Sequence, residues 1–131
     1  MDNILLFLCS GTSSRFNGKT KALAKLTDKS VIEFNIERLK DLYCSVYVVA
    51  NEHNVSEFEK YNLDASIMKI KTGNGDADSL LNALDELHKI EDFKNCCVTL
   101  CWGDTVFYRT DVFEKLIKDN NKKLQVLCAL D

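Results

Sequence analysis

The sequence predicts an α/β fold of three layers, with a mostly parallel sheet between helices. Apolar runs of strand length alternate along the chain with amphipathic runs at helical spacing, which is typical of repeated β-α units. No repeat, linker or low-complexity stretch interrupts this alternation. The 131 residues suit a single domain, residues 1–131, in which roughly two-thirds of the unfolded surface becomes buried.

Five strands are expected, at residues 3–9, 45–50, 65–70, 96–102 and 124–130. The first contains the apolar run from Ile4 to Cys9, which is too short for a secretory signal or a membrane-spanning helix. The run at 45–50 is rich in β-branched and aromatic residues. We therefore interpret both runs as buried strands.

Four helices are expected between these strands. Ser30 and Glu33 have the spacing of a capping box, in which each side chain accepts a hydrogen bond from the other residue's backbone N–H. Helical spacing gives the helix that they open one apolar face, formed by Ile32, Ile36, Leu39 and Tyr43. A short helix is expected at 56–61.

The remaining two helices are expected after the third and fourth strands. Residues that we assign to the apolar face of the first of them are Leu80, Leu81, Leu84 and Leu87. Asp111 and Glu114 have the spacing of a capped helix start. The apolar residues of that last helix are Val112, Phe113, Leu116 and Ile117.

Composition excludes several classes of protein. The 46% of hydrophobic and 28% of charged residues are ordinary for a soluble globular protein, and the net charge of −3 lacks the basic balance of a nucleic-acid binder. No membrane attachment is expected either. The sequence contains no CxxC pair and no common zinc spacing. Four of the six cysteines lie in apolar runs: Cys9, Cys97, Cys101 and Cys128. We expect reduced structural thiols in a cytoplasmic protein.

Polar segments at 10–21, 72–78 and 103–104 each follow a predicted strand. In open parallel sheets, ligands bind outside the carboxyl ends of the strands. The three segments are therefore the candidates for a binding site.

The first segment combines small residues with positive charge. Backbone N–H groups of Ser10 to Ser14 could approach a phosphate closely, and Arg15 adds a guanidinium suited to phosphate oxygens. Three lysines follow, at 19, 21 and 25. From composition alone a solvated surface loop explains the segment equally well, because it contains neither a P-loop nor a GxGxxG motif.

The segment resembles the signature loop of the sugar-phosphate nucleotidyltransferases, a group with the Rossmann-like, GT-A-like fold that includes the MobA-like NTP transferases. In that group a strand ends in Leu-Ala-Ala-Gly-x-Gly-Thr/Ser-Arg-Met/Phe, and Lys-Pro-Leu or Lys-Ala-Leu follows after a gap. The matching residues are Leu8, Gly11, Ser14, Arg15, Phe16 and Lys21-Ala22-Leu23. Ser13 stands where the group has its second glycine, and Ala22 where proline is usual.

The resemblance implies roles for residues of this loop. The backbone of the turn would bind the nucleotide through Leu8, Ser10, Gly11, Thr12 and Ser13. Arg15 and Lys21 would act on the triphosphate as the catalytic cations.

The second and third segments extend the resemblance. Residues 72–81 resemble the Gly-Thr-Gly-His-Ala loop of uridylyltransferases and the Ala-Asp-Ser-Val-Leu loop of methylerythritol-phosphate cytidylyltransferases, which implies nucleotide contacts for Gly73, Asn74 and Ser79. Asp104 resembles the group's metal-binding aspartate, and Mg²⁺ typically takes one or two carboxylates plus phosphates and waters. Taken alone, both segments are compatible with ordinary turns.

His53 and His88 are expected on the surface, away from all three segments, and Trp102 in the core. The resemblance implies transfer of NMP from an NTP, with CTP or UTP favoured, to a sugar phosphate or similar phosphorylated small molecule. It also implies that related enzymes continue past the last strand into an acceptor-binding region with a second metal-binding carboxylate. The sequence does not indicate an oligomeric state.

Three other interpretations stay open. One is a noncatalytic nucleotide- or sugar-phosphate-binding module that kept the loop without the acceptor region. Another is a glycosyltransferase of the same architecture. The last is a flavodoxin-like domain whose loops bind no nucleotide.

Overall fold

A computed structural model describes residues 2–11, 15–16, 19–118 and 125–127 of the chain. The five expected strands form one parallel sheet: β1 (Asp2–Leu8), β4 (Ser45–Asn51), β5 (Ser66–Ile70), β6 (Cys96–Trp102) and β7 (Gln125–Leu127). Their order across the sheet is β5-β4-β1-β6-β7. The expected α/β fold with a parallel sheet is confirmed.

The strand order reverses beside β1. The chain passes from β1 to β4 and β5 on one side, and then returns to β6 and β7 on the other. Leu8 near the end of β1 pairs with Val49 of β4 and with Trp102 of β6. The crevice beyond this reversal is where sheets of this type bind ligands.

An antiparallel pair within the first polar segment was not expected from the sequence. Arg15–Phe16 (β2) pairs with Lys19–Thr20 (β3), and a 3₁₀ turn over Lys21–Leu23 follows. Two-residue strands carry too little hydrophobic alternation to be recognised in a sequence.

Helices cover both faces of the sheet. One face packs against α1 (Val31–Leu39), α2 (Val55–Glu59) and α4 (Asp111–Lys118), through the buried side chains of Ile36, Phe58 and Phe113. The other face packs against α3 (Asp76–Ile90) through residues such as Ala83 and Leu87. Alternate residues of the central strand β1 point into the two cores, which confirms the three-layer arrangement.

The capping box of α1 is confirmed. The Ser30 hydroxyl accepts from the Glu33 N–H at 3.3 Å, and the Glu33 carboxylate accepts from the Ser30 N–H at 3.1 Å. The helix ends at Leu39, so that Tyr43 is buried beyond it rather than on its apolar face. A 3₁₀ turn over Lys40–Leu42 separates the two.

Two apolar assignments were wrong. Leu81 is 60% exposed and Val112 is 39% exposed. Successive helical residues are about 100° apart, so each lies beside the buried stripe next to a neighbour that faces the core. In α3 the small side chain of Ala83, absent from the expected face, is fully buried in that stripe.

The described cysteines form no disulfide with one another; Cys9, Cys96, Cys97 and Cys101 are buried, whereas Cys44 is exposed. Cys128 lies outside the described residues. Trp102 is partly buried and packs against the α3-side core. Every helix in the described ranges is too short or too polar to span a bilayer.

Candidate functional site

The carboxyl ends of β1 and β6 bring the first and third polar segments together. These strands are neighbours, so Cys9 to Gly11 and Gly103 to Asp104 leave the sheet side by side. The second segment follows the edge strand β5, two strands from β1, which corresponds to about 10 Å. All three segments therefore lie at the carboxyl ends of the strands, which we call the carboxyl edge of the sheet.

Gly103 allows the two central strands to approach closely. Its N–H donates to the Leu8 carbonyl at 2.9 Å, which continues the β1–β6 ladder beyond the last paired residues. A Cβ at position 103 would lie 2.0 Å from the Cys9 sulfur, a distance that no side chain tolerates. A glycine is therefore required here by packing against Cys9.

Asp104 follows directly and is exposed. Burial, and secondarily the negative charge of Asp104, raise the pKa of the Cys9 thiol. Across the described ranges, no three His, Cys, Asp or Glu side chains form a group that could hold a metal ion. One exposed carboxylate fits Mg²⁺ only where nucleotide phosphates and waters complete its coordination.

Asn35 of α1 fixes the chain that follows Asp104. Its side chain is fully buried, its amide donates to the Thr105 carbonyl at 2.8 Å, and its carbonyl accepts from the Phe107 N–H at 3.1 Å. Arg38, one turn later, donates to the Tyr108 carbonyl. Side chains of helix α1 therefore bind the main chain of the residues that directly follow the third segment.

Two further buried asparagines fix the start of the first loop. Asn51 at the end of β4 donates to the Ser10 carbonyl at 2.8 Å, and Asn54 donates to the Cys9 carbonyl at 2.8 Å. The Asn54 carbonyl oxygen accepts from the Asn51 N–H, while the Asn51 carbonyl oxygen accepts from the N–H groups of His53 and Asn54. Because backbone groups fix which end donates, both amides have one possible orientation.

Several of the residues expected to bind nucleotide lie in this turn or directly beside it. Leu8 is a core residue whose carbonyl is bonded to Gly103, and Ser10 is buried, with a hydroxyl that has no hydrogen-bond partner in the described part of the chain. Gly11 is partly exposed. Thr12 and Ser13 lie outside the described residues, and for Arg15 the backbone in β2 is described.

Lys21 lies at the same edge of the sheet. The preceding Thr20 is buried and donates to the Glu57 carboxylate at 3.1 Å, in the helix that starts just after β4. Ala22 is buried in the core on the α1 side. These two anchors place the partly exposed Lys21 beside the carboxyl end of β4.

The second segment is held by carboxylates. The Thr72 N–H donates to Glu52 at 2.9 Å, and the Asn74 N–H donates to Asp78 at 3.0 Å. Gly73 leaves no room for a side chain, since a Cβ would lie 2.5 Å from that of Asp78.

Asn74 is exposed and Ser79 is buried in the first turns of α3. These positions and Gly73 therefore lie on the β5 side of the edge, separated from the first loop by β4.

The expected position of one histidine was wrong. His53 is exposed, but it stands between Asn51 and Asn54 and its side chain lies 3.5 Å from Glu52, between the first and second segments. His88 is exposed on α3.

The three buried asparagines were missed in the sequence. Two signals were available: Asn35 interrupts the apolar stripe of α1, and Asn51 and Asn54 follow a buried strand with a spacing of three. A buried amide needs partners, which backbone groups of a loop supply.

Comparisons with known proteins agree with this architecture. A profile of the family described as "MobA-like NTP transferase domain" matches residues 5–130. Two proteins from strains of Clostridium perfringens, each named "Probable molybdenum cofactor guanylyltransferase", are 31% identical over 133 residues. The match covers 94% of this chain and 62% of each relative, so the chain spans less than two-thirds of their length.

A solved structure shares the fold. The crystal structure of Rv0371c from Mycobacterium tuberculosis H37Rv superposes with a TM-score of 0.71 at 16% sequence identity, over 89% of this chain and 59% of that one. The profile match extends from β1 to beyond β7 and includes every segment of the candidate site. The chain belongs to the family of MobA-like NTP transferase domains.

Proposed function

We propose that this chain binds a nucleoside triphosphate at the carboxyl edge of its sheet, for nucleotidyl transfer to a phosphorylated small molecule. Family membership supports the reaction class. The observation that carries the proposal is the adjacency of the Cys9–Gly11 turn and Asp104, on neighbouring strands at the point where the strand order reverses. A turn rich in N–H groups and a carboxylate for a cation are what a bound triphosphate requires.

In the proposed reaction a phosphate oxygen of the acceptor attacks the α-phosphorus of the nucleotide. The bond from that phosphorus to the bridging oxygen breaks, and pyrophosphate leaves with the electron pair. Lys21 and Arg15 would offset the negative charge on the phosphates, and the turn at Ser10 and Gly11 would orient the nucleotide. Asp104 would hold Mg²⁺, which when bound would supply positive charge that neutralises part of the charge on the phosphates.

Guanine is the base that we propose, because the two curated relatives carry the name guanylyltransferase. The expectation of CTP or UTP and of a sugar-phosphate acceptor receives no support from these relatives. Their name instead favours an acceptor on the route to the molybdenum cofactor, which we extend to this chain as part of the proposal.

Nucleotide binding is the first test. Unfolding of the chain would be followed with GTP, CTP, UTP and ATP, each with and without Mg²⁺. A nucleotide at a hundred times its dissociation constant adds about 2.7 kcal/mol to the free energy of unfolding. We expect the largest rise in Tm with GTP and Mg²⁺. If none of the four nucleotides raises the Tm, the proposed site is refuted.

Two variants test the assigned residues. Lys21→Ala and Asp104→Asn are each expected to reduce pyrophosphate release with GTP and acceptor by about a hundredfold or more, since loss of one such contact costs about 3 kcal/mol in the transition state. Lys94→Ala and Asp41→Asn, two exposed residues in turns that precede β6 and β4, are the controls.

Near-normal turnover by Lys21→Ala or Asp104→Asn would refute that residue's role. GTP binding by the unaltered chain without pyrophosphate release would instead favour a noncatalytic binding module.

A further inference from the structure

Asn51 and Asn54 make an unusual use of buried amides. Both side chains are almost completely buried, at 2% and 0% exposure, and besides accepting from each other's backbone N–H they reach across to the first loop. Each donates to one carbonyl of the first loop, Ser10 and Cys9 respectively. We refer to these two residues as the asparagine clamp.

The clamp determines the direction of the donors in the loop. A trans peptide places the C=O of one residue and the N–H of the next on opposite sides. With the Cys9 carbonyl bonded to Asn54, the Ser10 N–H points away from the clamp. With the Ser10 carbonyl bonded to Asn51, the Gly11 N–H does the same.

The surrounding contacts leave little freedom in this arrangement. The Cys9 N–H donates to the Val49 carbonyl at 2.8 Å, and the Leu8 carbonyl accepts from Gly103. The turn is therefore held by β4 on one side and by β6 on the other, up to the Ser10 carbonyl. Beside this network the Ser10 hydroxyl is buried and has no hydrogen-bond partner within the described residues.

We infer that Asn51 and Asn54 are positioning residues that aim the N–H groups of Ser10 and Gly11 at the bound nucleotide. This inference rests on the proposed function and adds residues of β4 and its following turn to the site. N–H donors that are already oriented lose little conformational freedom when the nucleotide binds. Without the clamp the loop must be ordered on binding, so we expect lower nucleotide affinity as well as lower stability.

Affinity and stability can be measured separately. Binding of GTP to the full chain would be measured by calorimetry at one Mg²⁺ concentration for every variant, so that the contribution of Asp104 is constant, and at a temperature where every variant is folded. Asn51→Ala and Asn54→Ala are each expected to weaken GTP binding by about tenfold, the effect of one lost hydrogen bond to a loop that must be reordered.

Val98→Ala serves as the matched control. Val98 is buried in the middle of β6 on the α3 side, and its truncation destabilises the fold without touching the loop. We expect this variant to bind GTP with unchanged affinity. Equal loss of affinity in Val98→Ala and in the clamp variants would reduce the clamp to a stability effect and overturn the inference.

The Asn54→Asp variant distinguishes the donor role of the Asn54 side chain from its acceptor role. The carboxylate retains an acceptor for the Asn51 N–H but cannot donate to the Cys9 carbonyl, whereas the protonated acid can. Its GTP affinity relative to the unaltered chain is expected to recover as the pH falls, and that of Asn54→Ala to stay low. The absence of any recovery would contradict a donor role for Asn54.

One measurement needs no variant. Addition of GTP to the ¹⁵N-labelled chain should shift the amide resonances of Ser10 and Gly11, whether or not the clamp variants fold. If GTP binds and neither resonance moves, the inference and the role proposed for the turn at Ser10 and Gly11 both fail, while nucleotide binding by the chain stands. If the unaltered chain binds no nucleotide, the proposed function itself fails.

Discussion

The central and the outer parts of the carboxyl edge are built differently. Beside β1 and β6, main-chain groups of the loops are bonded to buried amides, those of Asn35, Asn51 and Asn54. Beside the edge strand β5, the loop is bonded to carboxylates on exposed residues, Glu52 and Asp78. The first kind of contact is neutral and shielded, and the second is charged and in water.

Because of this difference, we expect the central part of the site to be rigid and the outer part to be adjustable. A buried amide that loses its partner costs free energy because no water replaces it, so the central turns are strongly determined. An exposed carboxylate exchanges its partner for water at little cost. We therefore expect the turn at Cys9–Gly11 to keep its shape when a nucleotide binds, and the segment at Thr72–Asn74 to adapt.

The largest effect is expected from Asn35→Ala. The change leaves the Thr105 carbonyl and the Phe107 N–H, both of partly buried residues, without their partner in the core, and should lower the free energy of unfolding by about 3 kcal/mol. Urea denaturation measures the loss. The exposed Asn62, changed to alanine, is the control and should leave stability within about 0.5 kcal/mol of the unaltered chain. Equal stability of the two variants would contradict the difference between the central and outer regions.

A smaller effect is expected from Gly103→Ala. The new Cβ would collide with the Cys9 sulfur, and overpacking of this kind should cost about 2 kcal/mol. The partner change Cys9→Ala removes the sulfur and leaves the two Cβ atoms 3.6 Å apart, an ordinary contact.

The double variant is therefore expected to regain at least about 1 kcal/mol relative to additivity, as measured by a double-mutant cycle in urea. Strict additivity would show that the close approach of β1 and β6 is not what requires glycine.

The smallest effect is expected from Glu52→Gln, which keeps an acceptor for the Thr72 N–H and should leave the Tm unchanged at neutral pH. Hydrogen bonds from its own backbone N–H and then from Thr72 lower the pKa of Glu52. A lowered pKa means that the carboxylate's contribution is present above the ordinary pKa and is lost as the pH falls through the lowered value.

Hydrogen exchange of the Thr72 amide tests this pH dependence. In the unaltered chain its protection factor should fall as the pH drops below the ordinary carboxyl range, and in Glu52→Gln it should not. The Phe107 amide, which donates to the neutral, buried side chain of Asn35, should show no such change. Parallel behaviour of the two amides would remove the distinction between the regions.

Much of the fold could be predicted because it depends on local patterns. The five strands and four helices follow from apolar runs and helical spacing, and the capping box can be recognised from Ser30 and Glu33 alone. Leu81 and Val112 were misplaced because leucine and valine are apolar wherever they stand, and only the packing of α3 and α4 shows which residues face the core.

The candidate site could be predicted in part. Small residues, charge and a resemblance to known motifs predicted roles for the loop residues and Asp104; the structure places the Cys9–Gly11 turn and Asp104 on neighbouring strands, and their roles stay a prediction. The asparagine clamp was not found, since its partners are carbonyl groups of residues about 40 positions earlier in the chain.

The main strands and helices and the chemical character of each loop could be predicted, because these depend on side chains near one another in the chain. The tertiary structure alone sets the strand order and hence which loops meet. It also decided that three polar asparagines are buried, because an amide inside a protein is stable only when distant backbone groups complete its hydrogen bonds.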